Sequence, residues 1–154
     1  MGTENQEWEL PGSSRPLPDA DLRKKREAVI MEHTLAEIKW DIDGVLATFP
    51  RGGVYRILPF EEQPLLGDDI RGYFDDLRRG FPDVEHDVYQ IFHASDALIL
   101  EGAIKGTQEA EWRGIPSKGK RMECPVAVFF HFDGDVLIDE TVYYDHATIV
   151  RQLS

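Results

Sequence analysis

Asp133-Gly134 separates two long apolar-rich runs, Arg121–Phe132 and Val136–Tyr144. Asp-Gly between such runs is a two-residue hairpin turn, which commits this end of the chain to paired antiparallel strands. Upstream, Val84–Ala94, Ala97–Lys105 and Thr107–Trp112 read as further strands of the same meander. Ser95-Asp96 and Ile115-Pro116-Ser117-Lys118-Gly119 supply turns between them.

The first half of the chain has a different period. Asp19 is placed to cap a helix in which Leu22, Arg26, Val29, His33, Ala36 and Trp40 recur at helical spacing. Asp41-Ile42-Asp43-Gly44 breaks that helix, and Val45–Phe49 makes a second short helical turn. A strand Val54–Leu58, a loop Pro59–Gly67 and an amphipathic helix Asp68–Arg79 through Ile70, Tyr73, Phe74 and Leu77 follow. Helices first and strands afterwards is the α+β pattern, with about three N-terminal helices packed on one face of a curved antiparallel sheet of five or six strands.

With 154 residues the chain makes one domain. Residues 1–18 hold Gly2, Pro11, Gly12, Ser13, Ser14, Pro16 and Pro18 and read as a flexible arm, with 19–154 as the domain. Trp8 and Leu10 are the side chains with which the arm can dock. The net charge of −12 argues against nucleic acid and anionic membrane as partners, since both demand basic patches. The one basic run, Arg23-Lys24-Lys25-Arg26, reads as a solvated helical face. Cys124 is the only cysteine, a buried thiol with no internal disulfide to form, so the expected compartment is the reducing cytoplasm. Neither a secretory signal nor a membrane-length apolar run is visible.

Several stretches resemble SnoaL-like domains of the nuclear-transport-factor-two-like superfamily. They are His33-Thr34-Leu35-Ala36-Glu37 with Asp43-Gly44-Val45-Leu46-Ala47-Thr48-Phe49, then Gly67-Asp68-Asp69-Ile70-Arg71-Gly72-Tyr73-Phe74. Gly106-Thr107-Gln108 with Gly114-Ile115-Pro116-Ser117-Lys118-Gly119-Lys120, and the ending Tyr143-Tyr144-Asp145 to Arg151-Gln152-Leu153, complete the set. The resemblance spans residues 20 to 154 and implies a cone-shaped sheet enclosing one deep pocket, with dimers formed through the exposed sheet face. On that face Phe129, His131, Leu137 and Tyr143 are the expected contacts. The resemblance also implies departures. The acid/base aspartate of SnoaL-type cyclases falls at Val142 here, its assisting histidine at Ala127, and the histidine of Gly-Thr-His at Gln108.

Chemistry must then come from other side chains. Strand alternation puts Glu140 on one face with Val136, Ile138, Val142 and Tyr144, where a desolvated carboxyl has its pKa raised toward the range useful for acid/base work. His33 lies on the apolar stripe of the first helix with Glu37 one turn later, the spacing of a base and its orienting carboxylate. Tyr55 can donate a phenolic proton, and Glu101 is read as a pocket acid or as the partner of Lys105. Trp40, Phe92, Phe129, His131, Val142 and Tyr144 are the candidate walls of a site for a small hydrophobic ligand. His33 and Glu37 have metal-ligand spacing but no third donor, so no metal is expected; no nucleotide loop or nucleophile elbow is present, and a cofactor-free protein is the simplest reading. Two functions remain open: an acid/base isomerase, cyclase or hydrolase/hydratase of a polyketide- or terpenoid-like metabolite, and a non-catalytic small-ligand-binding or dimeric assembly module.

Overall fold

The computed structural model describes residues 10–12, 14–61 and 63–154. Of the N-terminal arm, Met1–Glu9 (with Trp8) and Ser13 lie outside the described residues. Leu10 and Leu17 are exposed, Arg15 pairs with Asp96 at 2.6 Å, and Pro18 is buried.

Helix α1 runs Ala20–Ile38, capped as the sequence predicts by Asp19, which accepts from the Leu22 amide at 2.8 Å. Its buried residues are Arg26, Ile30, His33 and Ala36. Trp40, at φ 57°, turns the chain out of the helix, and Asp41 caps α2 (Ile42–Ala47) by accepting from the Gly44 amide at 3.0 Å. The second helix therefore begins inside the segment read as a break, because Asp41 starts a helix as well as ending one. α3 (Asp68–Gly80) buries Ile70, Phe74, Leu77 and Gly80; α4 (His146–Leu153) buries Ile149 and Leu153. No helix of the described residues is long and apolar enough to cross a membrane.

The strands are β1 (Val54–Ile57), β2 (Leu65–Leu66), β3 (Glu85–His93), β4 (Ala97–Thr107), β5 (Arg121–Asp133) and β6 (Val136–Tyr144). They form one sheet in the order β2-β1-β6-β5-β4-β3. β3 to β6 are the antiparallel meander. β1 instead joins β6 in parallel, with Tyr55 opposite Glu140, so the sheet is mixed. That pairing sets the position of the site.

Three expectations are corrected. Thr107–Trp112 is not a strand: beyond Thr107 the chain leaves the sheet, Glu109 N–H donating to Gly80 O at 2.8 Å. Trp112 is drawn in against Gly80, where a Cβ would stand 3.0 Å from the Trp112 Cβ. Leu137 is not on the outer face. A register shift at His131/Phe132 pairs Phe132 with Leu137, so Leu137 turns inward and is 1% exposed, taking the place the simple alternation gave to Ile138. Arg26, read as part of a solvated run, is buried. Its guanidinium donates to Gly134 O (2.9 Å), Ala94 O (3.2 Å) and Ser95 O (3.1 Å) and lies over the Phe132 ring.

Candidate functional site

Four of the five residues singled out for chemistry meet inside the cone. α1 presents His33 and Glu37 one turn apart, β1 presents Tyr55, and β6 presents Glu140. His33 Nε2 lies 3.0 Å from Glu140 Oε2, 3.3 Å from Glu37 Oε1 and 2.9 Å from the Tyr55 hydroxyl. Tyr55 donates to Glu37 Oε1 at 2.8 Å. His33 is 0% exposed, Glu140 4% and Tyr55 1%; the Glu37 side chain, at 11%, is the one reaching furthest toward solvent. Phe49, Phe130 and Tyr55 enclose the imidazole.

Thr48 is the member that sequence reasoning missed. Its hydroxyl donates to Val45 O at 2.6 Å and so accepts from His33 Nδ1–H at 2.8 Å. The one signal was a hydroxyl inside the apolar segment Val45-Leu46-Ala47-Thr48-Phe49.

These bonds fix the protons. Nδ1–H is committed to Thr48 and the Tyr55 proton to Glu37, so with Glu140 ionised every atom facing Nε2 is an acceptor, Nε2 carries a hydrogen and the ring is an imidazolium. Burial opposes that charge, but Glu37 and the bonds to Glu140 and Glu37 outweigh it and raise the His33 pKa to about 10. The Glu37 carboxyl, though penalised by burial, is lowered by the charge and bond of His33, helped by His86 and Tyr55. Burial and the Glu37 charge push Glu140 upward, against its bond to His33. Burial and the two carboxylates raise the Tyr55 phenol well above its ordinary range. One cation between two buried carboxyls leaves Glu140 as the member poised to gain and lose a proton.

The same atoms of His33, Glu37 and Glu140 lie within 4.8 Å of one another, a donor set of the kind that divalent cations use. Glu140 is the third donor that the sequence did not reveal. The bonds described above link these donor atoms to one another through shared protons, and the cluster is read here as proton-sharing.

The remaining candidates divide between two faces. Val142 and Tyr144 pair with Val128 and Val126 on the inner face; they are only partly buried, as are Ile104 and Tyr73. Trp40 is partly buried at the α1–α2 corner beneath Arg78. A cleft of about 300 Å³ adjoins, lined by Phe60, Leu65, Tyr73, Trp112 and Arg113 with Asp68, Asp69 and Asp76. Glu101, Phe92, Phe129 and His131 face outward and do not join the cluster. Glu101 is exposed, and Lys105 pairs with Asp87 and Glu123 instead. Phe92 and Phe129 line an outer cleft of about 410 Å³ with Tyr89 and Glu101. His131 Nδ1 lies 2.5 Å from Asp139, which Arg56 also holds at 2.8 Å.

Residues 30–153 match the family model of the SnoaL-like polyketide cyclases. Among solved structures, the chain superposes on the candidate SnoaL-like polyketide cyclase of Jannaschia sp. CCS1 with a TM-score of 0.76 at 16% identity, covering 89% of this chain and 96% of that one. AclR, a candidate hydroxylase of Streptomyces galilaeus, gives 0.71 at 18% identity over 84% and 96%. IdmH, a candidate polyketide cyclase of Streptomyces antibioticus, gives 0.69 at 17% over 83% and 97%. At these identities the likeness establishes the fold. No curated protein sequence matches the chain.

Proposed function

The chain belongs to the SnoaL-like polyketide cyclase family, and from that premise we propose that it is an acid/base enzyme whose own side chains isomerise, cyclise or hydrate a small hydrophobic metabolite of polyketide or terpenoid type. Glu140 is the principal acid and base. The His33 imidazolium holds the Glu140 carboxyl in place and stabilises its ionised form, while Glu37, Tyr55 and Thr48 fix the ring. The observation that carries this reading is a buried glutamate, its carboxyl pushed upward by burial and the Glu37 charge, bonded to a histidine whose own pKa is raised to about 10.

The test is solvent-deuterium incorporation next to the carbonyl of small cyclic ketones, with His33 and Glu140 followed in parallel by NMR from about pH 4 to 9. Glu140→Gln should lower exchange by about 100-fold or more, within the range for a general acid/base group. Glu101→Gln, on the outer face, should leave it unchanged. Exchange that survives Glu140→Gln, or a near-reference titration of Glu140, would remove Glu140 from the mechanism.

A second reading, an assembly module, is favoured by a different surface. Tyr89, Phe92 and Tyr143 are exposed on the outer face beside Phe129, a cluster of aromatic rings open to solvent. We propose that a second copy covers it. Sedimentation should give a dimer that Tyr143→Glu dissociates; a wild-type monomer at micromolar concentration would sink the idea.

A further inference from the structure

Between α1 and β3 runs an apolar groove that no described residue fills. Its volume is about 210 Å³, and Ile30 and Met31 of α1, Val88 and Ile91 of β3, and Leu98 and Leu100 of β4 line it. Met31 is 62% exposed, Val88 51% and Ile91 39%. The strand register gathers them. Ile91 stands opposite Leu100 and His93 opposite Leu98, so these side chains share one face of the sheet. β3 is also the end strand of the sheet, with no further strand along its outer edge. Apolar side chains beside an open sheet edge are a liability that proteins ordinarily cover.

The place where the chain enters the body points to the cover. Pro18 is buried and Asp19 caps α1. Just before them the Arg15 amide donates to Gly12 O at 3.1 Å, and the Arg15 side chain pairs with Asp96 at 2.6 Å. Asp96 directly precedes β4 and stands two residues before Leu98, so this tether lies at one end of the groove. Glu27 lines the groove and is held by His93 at 2.7 Å. Extended, the four residues from Gly12 back to Trp8 span up to about 13–14 Å. Along α1 the groove takes about 10 Å, from Glu27 to Thr34. Residues 1–9 are therefore within reach, and they carry one aromatic anchor, Trp8.

Charge and hydrogen bonding agree with that occupant. Arg23 and Lys24 lie one turn before Glu27 on α1, are exposed, and make no ion pair among the described residues. Residues 1–9 hold Glu4, Glu7 and Glu9 and neither lysine nor arginine. His93, on the face of Leu98, keeps a buried Nδ1 with no partner among the described residues. With Nε2–H donated to Glu27, that Nδ1 is an acceptor of the kind an indole N–H needs when its ring is buried.

We propose that residues 1–9 dock in this groove, with the Trp8 indole seated between α1 and β3 and Glu7 and Glu9 set against Arg23 and Lys24. Ile30 and Thr34 flank His33 on α1, so the docked segment packs against the helix that carries two members of the buried cluster. The chain thus covers its own groove, leaving the aromatic outer face to the second copy.

The experiment is fluorine NMR of the full chain labelled with 5-fluorotryptophan, which gives one signal each for Trp8, Trp40 and Trp112. Trp8→Phe identifies the first. In the wild-type chain the Trp8 signal should stand apart from that of free fluorotryptophan, resist broadening by a soluble gadolinium chelate, and stay unchanged on dilution. Met31→Glu and Val88→Glu, both at exposed positions, should each move it to the free value and open it to the chelate. Unmoved Trp40 and Trp112 signals would record an intact fold. Arg23→Glu with Lys24→Glu should release Trp8 in part, as should added salt in the wild-type chain. A wild-type Trp8 signal at the free value, or one indifferent to both groove substitutions, would overturn the proposal. Protection lost on dilution would overturn it as well and assign the groove to a second copy.

Discussion

Asp139 and Glu140 are neighbours on β6, point to opposite faces of the sheet, and each holds a histidine. Outside, Asp139 pairs with His131 at 2.5 Å, with the His131 side chain 42% exposed and Arg56 sharing the carboxylate. Inside, Glu140 pairs with His33 at 3.0 Å, with His33 shut off from solvent and a second carboxylate bearing on it. The partners are alike; the surroundings are not. In solvent such a pair is screened and contributes little, whereas in the interior each charge depends on the others. The inner pair has the means to hold a proton against the pH of the medium.

The largest test of that contrast is deletion. His33→Ala leaves Glu37 and Glu140 facing each other without a cation and should cost about 3–5 kcal/mol in chemical denaturation, the penalty for breaking a buried ionic group. His131→Ala should stay within the ~0–1 kcal/mol of an exposed pair. Similar costs for the two would erase the distinction.

The next effect is pH dependence. His33 titrates near 6.5 when unfolded and at about 10 when folded, so its stabilisation is complete below pH 6.5 and is lost as pH rises toward 10. Glu140, also raised, acts in the same direction; Glu37, lowered, stabilises above its unfolded value and loses that contribution as acid protonates it in the folded state. Denaturation midpoints should therefore fall between about pH 6.5 and 10. His131→Gln should keep this slope and His33→Ala should flatten it.

Tyr55→Phe should be smaller, about 1–3 kcal/mol, because Glu37 is left buried and short of one donor. An NMR titration should show the His33 ring responding, since Tyr55 touches both partners. Smallest is Arg56→Ala on the outer face, at about 0–1 kcal/mol by thermal or chemical melts. A larger loss there would mean that the outer triad is structural.

Much of this was legible in the residues. Asp19 announced α1, Asp133-Gly134 announced the β5–β6 hairpin (its two turn residues are Gly134 and Asp135, Asp133 ending β5), and helical spacing put His33 on an inward stripe. Alternation alone found Glu140. It failed at Leu137 because a register shift of one residue reverses every assignment beyond it, and local pattern does not encode a bulge. It failed at Glu101 because both faces of β4 carry apolar side chains, so polarity did not say which face was inside. The parallel β1–β6 pairing joins residues 85 positions apart, Tyr55 and Glu140, and no local signal reports it. Tyr73 was read as one more apolar-stripe residue of α3, which its ring, packed against Phe60 and Phe74, is.

Hairpin tips are ordinarily where a chain tolerates insertions. In this cone the β3–β4 and β5–β6 tips are not available for that, because the carbonyls of Ala94, Ser95 and Gly134 are the acceptors of one buried guanidinium. Lengthening either tip would strand Arg26 among apolar neighbours. Loop variation in this architecture is thereby pushed to the opposite end, toward exposed stretches such as Pro116–Lys120, near the turn that carries Arg113.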